Sequence, residues 1–264
     1  MKKLKKYLHI YKATILENIQ YVSNIILRII SFVIIMFVLF NLWKYMYSGQ
    51  NTINGYSQSQ VLWYVLITEG IWFGVRNKSF TNEISDNIKS GNIAYNINKP
   101  YNYVIYLIVK NLGDITIKAL SFILVVGTIG IFVIGRLNFE VYQIPFVLIA
   151  LFFSTLIFST IDISISLISF WIEDAMPFHW VFDKFILIFG TIIPIEMFPD
   201  IVKKVISYFP TYPIMYGPVK IIIDFSFNIC IKIIMIQIVY LIITVLIMNL
   251  LYKKGVKKIN VNGG

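Results

Sequence analysis

The sequence predicts an all-α, polytopic membrane protein with six transmembrane helices. Two observations carry that expectation. Hydrophobic residues make up 58% of the 264 residues, and mean hydropathy is +0.77. They are also gathered into six long apolar stretches rather than spread along the chain. About 20 mostly apolar residues cross the ~30 Å hydrocarbon core as a helix. A helix satisfies its own backbone groups where no water can.

The stretches lie at residues 21–43, 61–77, 114–134, 144–171, 180–195 and 221–252. Glu69 interrupts the second, and Pro194 ends the fifth early. The chain reads as one transmembrane domain over 1–264, with an N-terminal segment (1–17), a six-span bundle (21–252) and a basic tail (253–264). The basic start leads into no short apolar region closed by a small-residue cleavage site, so the first span is expected to remain in the mature protein.

Charge sets the expected orientation. The formal net charge is +10, with 23 Lys and Arg. With both termini in the cytoplasm, sixteen of the 23 fall on the inner side, from the Lys2, Lys3, Lys5, Lys6 and Lys12 run to Lys253, Lys254, Lys257 and Lys258. Lys44, Arg136, Lys203, Lys204 and Lys220 fall outside. That bias is the positive-inside pattern. It explains the charge better than nucleic acid does, because no basic surface is interleaved with base-stacking aromatics. The richness in Ile, Asn and Lys suggests an AT-rich bacterial genome, and hence a bacterial cell membrane. Cys230 is the single cysteine, so no disulfide forms within the chain.

Three segments between spans carry pattern. In 1–17, Leu4, Leu8, Tyr11 and Ile15 recur at helical spacing opposite Lys5, His9 and Lys12, as in a helix lying in the membrane interface. In the long loop, Phe80, Ile84 and Ile88 repeat every four residues, and Gly91 follows as a helix-ending residue should. Such a stripe is buried in lipid, in the chain's own bundle or in a partner; periodicity does not choose. The third segment is GTIIPIEMFPDIVKKVISYFPTYPIMYGP, from Gly190, with Pro194, Pro199, Pro210, Pro213 and Pro218. It has too many prolines for one helix and is too apolar for a solvated loop. It is expected to re-enter the membrane from the outer side, with a short helix over 201–208. Ile201, Val205 and Phe209 would face the bundle, and Lys203 and Lys204 the water. It would either gate the outer end or form a plain interfacial hairpin.

With these segments in view, the chain resembles the membrane subunits of type-2 ATP-binding-cassette (ABC) exporters. The likeness is strongest in IKSGNIAYNINKP (88–100), ISFWIEDA (168–175), GTIIPIEMFP and YFPTYPIMYGP. It implies six spans, an interfacial N-terminal helix, and a re-entrant outer element before the last span. It also implies a coupling helix over 80–91, with Phe80, Ile84, Ile88 and Gly91 docking on a separate P-loop ATPase. ATP and magnesium would belong to that partner, and a second permease chain, identical or related, would complete the pore. No G-x-x-x-x-G-K-[ST] sequence is present, so this chain builds no phosphate-binding loop of its own.

Ionisable residues inside spans are costly and face the bundle interior. The candidates are Arg28, Glu69 and Asp162. Asp162 sits on a stripe with Thr155, Ser159, Ser166 and Ser169, which either packs helices together or lines a path. Arg28 or Glu69 is the expected partner of Asp162. Gly70 and Gly74 form a G-x-x-x-G pair, a weak signal for a dimer seam. Enzyme chemistry finds little support: His9 and His179 lack companions at metal-ligand spacing, and the adjacent Glu173 and Asp174 read as capping or solvating a short turn. The rival readings are an ion-coupled carrier using Glu69 and Asp162, disfavoured by the lack of an inverted repeat, and a non-transporting immunity or assembly protein.

Overall fold

The computed structural model describes residues 2–137, 139–172 and 174–262. Glu173 and the side chain of Leu4 lie outside that description. Apart from a two-residue hairpin ladder, the described regular structure is helical. Helices α1 (Lys2–Gln20) and α2 (Val22–Met46) lead into strands β1 (Thr52–Ile53) and β2 (Tyr56–Ser57). Then come α3 (Gln58–Val75), α4 (Lys78–Lys89), α5 (Ile93–Ile97) and α6 (Tyr103–Ile129). After them follow α7 (Ile144–Leu167), α8 (Met176–Ile186), α9 (Asp200–Ile206), α10 (Gly217–Ile223) and α11 (Phe227–Asn262).

Among the described residues, four helical segments are long and apolar enough to cross a membrane: Val22–Met46, Tyr103–Ile134, Val141–Phe170 and Phe227–Lys258. The second and fifth expected stretches take other forms. α3 is buried on nearly every side, with Val61 through Gly70 all inside, so it is a core helix with no broad face for lipid. Gln58, Gln60 and Glu69 also lower its hydropathy. α8 has 11 residues and continues as a π turn, Leu187–Thr191, before Pro194 stops it. The third span begins at Tyr103, not at residue 114. Lys110, expected ahead of the span, thus lies on this helix with Lys118; Lys110 pairs with Glu83 (2.6 Å) and Lys118 donates to Asn77 Oδ1 (3.3 Å).

Both ends of the chain pack at one end of the bundle. Asn102 N donates to Tyr7 Oη at 3.0 Å, the rings of Tyr103 and Tyr252 lie 5.8 Å apart, and Gly255 packs on the Phe170 ring. α1 runs along the first half of α6. Its seam is Tyr7, Tyr11, Thr14 and Asn18, which shares only Tyr11 with the expected stripe: Thr14 fits against Gly113, and Asn18 donates to Asp114 Oδ1 at 2.6 Å. Leu8, Leu16 and Ile19 stay exposed on the other side.

The opposite end is closed by the hairpin. Asn54 and Gly55 both have positive φ, the geometry of a tight two-residue turn for which Asn-Gly is the favoured pair. Ser57 then caps α3 in a capping box with Gln60. Tyr47 donates to the Tyr56 carbonyl at 2.8 Å and anchors the hairpin to α2.

Candidate functional site

α4 forms as expected and ends at Gly91, whose φ of 75° is open to glycine and strained for other residues. Its apolar stripe, however, is turned into the chain itself. Phe80, Ile84 and Ile88 are buried among Tyr103, Val104, Leu107, Ile163, Leu167, Phe170 and Met248. In place of the expected contact with a separate ATPase, these three side chains pack within the chain. α6, α7 and α11 converge there and offer more apolar area than a polar loop could. What α4 and α5 present outward is Asp86, Lys89, Ser90, Gly91 and Asn92, with Tyr95 73% exposed under the Lys99 ammonium.

Behind α4 lies a belt of polar side chains. Asn77, just after α3, donates to Asn111 Oδ1 at 3.3 Å and Asp114 Oδ2 at 3.1 Å, while Asn111 donates to Ser159 Oγ at 2.9 Å. Arg28 donates to the carbonyls of Arg76 (2.9 Å) and Phe73 (3.4 Å). It thus covers the C-terminal end of α3, where helix carbonyls lack partners and the dipole favours a cation. Arg76 pairs with Asp183 and stands 5.1 Å from the Trp72 ring centroid.

Asp162 is buried in this belt, and its partner is neither Arg28 nor Glu69. His179 Nδ1 lies 3.3 Å from Asp162 Oδ1, and His179 Nε2 lies 3.0 Å from Ser166 Oγ. Ser166 donates in turn to the carbonyls of Asp162 (3.1 Å) and Thr81 (3.3 Å). The Asp162–Ser166 part of the stripe on α7 thus reaches α4 and α8. A cavity of about 40 Å³ opens beside it, lined by Arg76, Lys78, Thr81, Asp162, His179, Trp180 and Asp183 among others. A site of that size has room for a few water molecules. His179 is the functional candidate that sequence reasoning passed over. Its signal was the Asp162–Ser166 spacing, which sets a carboxylate and a hydroxyl one helical turn apart.

Glu69 is separate from this group. It is buried in α3 with Oε1 lacking a partner among the described residues. Gly70 and Gly74 do not lie on a free surface. They meet Val126 and Ala119 of the chain's own α6, so the G-x-x-x-G pair is an internal seam.

The segment from Gly190 to Pro218 is broken as its prolines require. A single turn at Ile195–Met197 follows Pro194, Pro199 precedes α9, and Pro210 leads into a π turn, Tyr212–Tyr216, that starts near Pro213 and runs into α10 near Pro218. Proline fits the first turn of a helix, where its missing donor is not needed. The freed carbonyls are met by side chains from the bundle. Tyr64 donates to Gly190 O at 3.0 Å, Thr68 to Thr191 O at 2.9 Å, Gln237 to Pro213 O at 2.9 Å and Ser154 to Ile214 O at 2.5 Å. Irregular backbone surrounded by protein in this way is tolerated at membrane depth. The face of α9 differs from the expected one. Ile206 and Val202 pack inward, while Ile201 and Val205 are exposed. A seven-residue helix starting at Asp200 is turned by the flanking Pro199, which shifts the stripe by one residue.

Lys220 gathers this end together. It contacts Asp224 (2.9 Å), Glu196 (3.3 Å) and Tyr56 Oη (3.4 Å), and Tyr216 donates to Glu196. Burial alone would lower the Lys220 pKa, but Asp224, Tyr56 and Glu196 outweigh it and hold the ammonium above the ordinary lysine range.

A search of curated proteins finds no match. The family model described as "ABC-2 family transporter protein" matches residues 10–263, nearly the whole chain and every element above except the first turns of α1. With an all-α bundle whose described residues include four helices long and apolar enough to cross a membrane, and with that match over nearly its whole length, the chain belongs to the ABC-2 transporter family.

Proposed function

We propose that this chain is the permease subunit of an ATP-driven exporter in a bacterial cell membrane, moving an amphiphilic substrate such as a drug, lipid, peptide or glycan. α3 and the α8 segment complete a six-crossing bundle, both shorter than the other four and shielded by them. Both termini are cytoplasmic, consistent with the lysines of α1 and the C-terminal tail at one end. The exposed Leu8, Leu16 and Ile19 of α1 face lipid headgroups and acyl chains beside Lys12. ATP and magnesium are handled by a separate P-loop ATPase, and a second permease chain, identical or related, completes the pore. The segment from Gly190 to Pro218 closes the outer end of the path.

The observation that carries this reading is the α4–α5 tip. It is clamped to three long helices by Phe80, Ile84 and Ile88, and it presents a rim with one exposed aromatic, Tyr95. A rigid element with a polar rim and an aromatic anchor suits a partner that pushes on it. Purification of the tagged chain from its native membrane should bring down a P-loop ATPase. Tyr95→Ala combined with Asp86→Arg should lose it while the permease stays folded. Purification of the wild-type chain without any ATPase would refute the reading.

A further inference from the structure

We infer that the Asp162–His179 pair is a proton-binding site whose occupancy decides whether Ser166 ties α4 to the bundle. The inference rests on hydrogen-bond accounting. A neutral imidazole has one donor and one acceptor, and an imidazolium has two donors. His179 faces the Asp162 carboxylate at Nδ1 (3.3 Å) and the Ser166 hydroxyl at Nε2 (3.0 Å). Ser166 has one proton to give and two carbonyls within reach, those of Asp162 (3.1 Å) and Thr81 (3.3 Å).

With a proton bound to the pair, Nδ1 and Oδ1 share it and Nε2–H donates to Ser166. The Ser166 hydroxyl then donates to the carbonyls, one of which belongs to Thr81 in the first turn of α4. Without that proton, the single imidazole N–H goes to the carboxylate, and Nε2 becomes an acceptor. The Ser166 proton swings to it, and the Thr81 tie is lost. All three side chains are buried, so no bulk water substitutes for the missing donor. Protons still reach the pair, because Asp162 and His179 both line the water-sized cavity.

The other charged groups around the pair come from α2, α3, α4 and α8, and the Arg76 guanidinium also couples to the Asp162 charge. Arg76, at the end of α3, and Asp183, on α8, pair with each other. Lys78, opening α4, lines the cavity but is exposed, and Arg28 of α2 is turned to backbone carbonyls. The site therefore links protonation on the terminal side of the bundle to the element that the exporter reading gives to the ATPase. The link itself does not depend on that reading.

The test uses the full chain in lipid nanodiscs with ¹⁵N-labelled histidine; only His9 and His179 report. Imidazole ¹⁵N shifts and amide exchange over α4, corrected for intrinsic rates, are followed from about pH 5 to 9, which brackets ordinary histidine titration. His179 should gain a proton as pH falls, and α4 amides should become about fivefold more protected at the same midpoint, the effect of one ordinary hydrogen bond. Ser166→Ala should keep the titration and abolish the pH dependence of α4; His179→Gln should abolish it as well, and His9→Gln should change nothing. If the alanine variant fails to fold, Ser166→Cys, a weak donor, should shrink the dependence. A pH dependence of α4 that survives the Ser166 variants overturns the inference. So does a His179 whose protonation stays constant across the range.

Discussion

The Asp162 carboxylate meets the His179 imidazole 3.3 Å away across the α7–α8 contact, with both side chains only 7% exposed. Removing one partner of a buried hydrogen-bonded pair leaves the other unsatisfied, at a cost of about 1–3 kcal/mol. Asp162→Leu should lower the thermal midpoint in nanodiscs more than Asp162→Asn, which keeps a polar group for Nδ1. Adding His179→Leu to Asp162→Leu should recover part of the loss. An Asp162→Leu variant as stable as wild type would show that the pair does not hold α7 to α8.

Ile84 lies in the core beneath α4, 1% exposed. A carboxylate placed in that apolar cluster is strongly disfavoured. Ile84→Asp should therefore unfold the terminal end of the bundle and lower membrane yield, not merely release a partner. Tyr95→Ala, at an exposed position, should leave the midpoint within about 0.5 kcal/mol of wild type. A well-folded Ile84→Asp permease that has lost only its ATPase would reverse the assignment of the two faces.

The Gly70 seam gives a sharp contrast between two glycines. A Cβ at Gly70 collides with Val126 of α6, whereas one at Gly127 meets nothing within 4 Å. Gly70→Leu should cost at least the ~1–3 kcal/mol of core overpacking. Gly127→Ala should be neutral or stabilising by up to ~1 kcal/mol, since alanine favours the helix. Thermal melts of the two variants read this directly. Loss of dimer alone in Gly70→Leu, with an unchanged melt, would restore the glycine pair to an intermolecular role.

Cysteine scanning maps α9. Cys230 is buried at 1% exposure, so Cys230→Ser gives a quiet background. Cysteines at Lys204 and Val205 should react with maleimides and one at Ile206 should not. An impermeant reagent should reach Lys204 from the outer side only. Labelling at Ile206 equal to that at Val205 would mean that α9 is not docked on the bundle.

Lys220 predicts how the hairpin end responds to alkali. Its folded pKa lies above the ordinary lysine value of 10.5 because its acidic and phenolic neighbours outweigh burial. A raised folded value gives stability that is fully present below 10.5 and lost as pH rises through the folded value. The contact should therefore hold across the whole neutral range. Lys220→Met should loosen the hairpin at neutral pH, seen as faster exchange of the Tyr56 amide, and should leave α4 unchanged. Exchange at Tyr56 that is insensitive to the substitution would remove Lys220 from that role.

The sequence by itself determined the helical class, the membrane environment, the α4 helix with its stop at Gly91, and the breaks at Pro194, Pro199 and Pro210. Each depends on local quantities: transfer of apolar side chains, spacing along one helix, and a missing backbone donor. The Asn54–Gly55 turn rests on the same kind of local preference. Tertiary structure alone decided what each face meets. Phe80, Ile84 and Ile88 have the spacing of a buried stripe whether it packs on a partner or on α6, α7 and α11. Gly70 reads alike at a dimer seam and an internal one. Asp162 needed a buried partner, but His179 becomes that partner only when α8 folds back beside α7. The same folding gave α3 its place in the core, where burial by neighbouring helices, rather than its own hydropathy, keeps it from water.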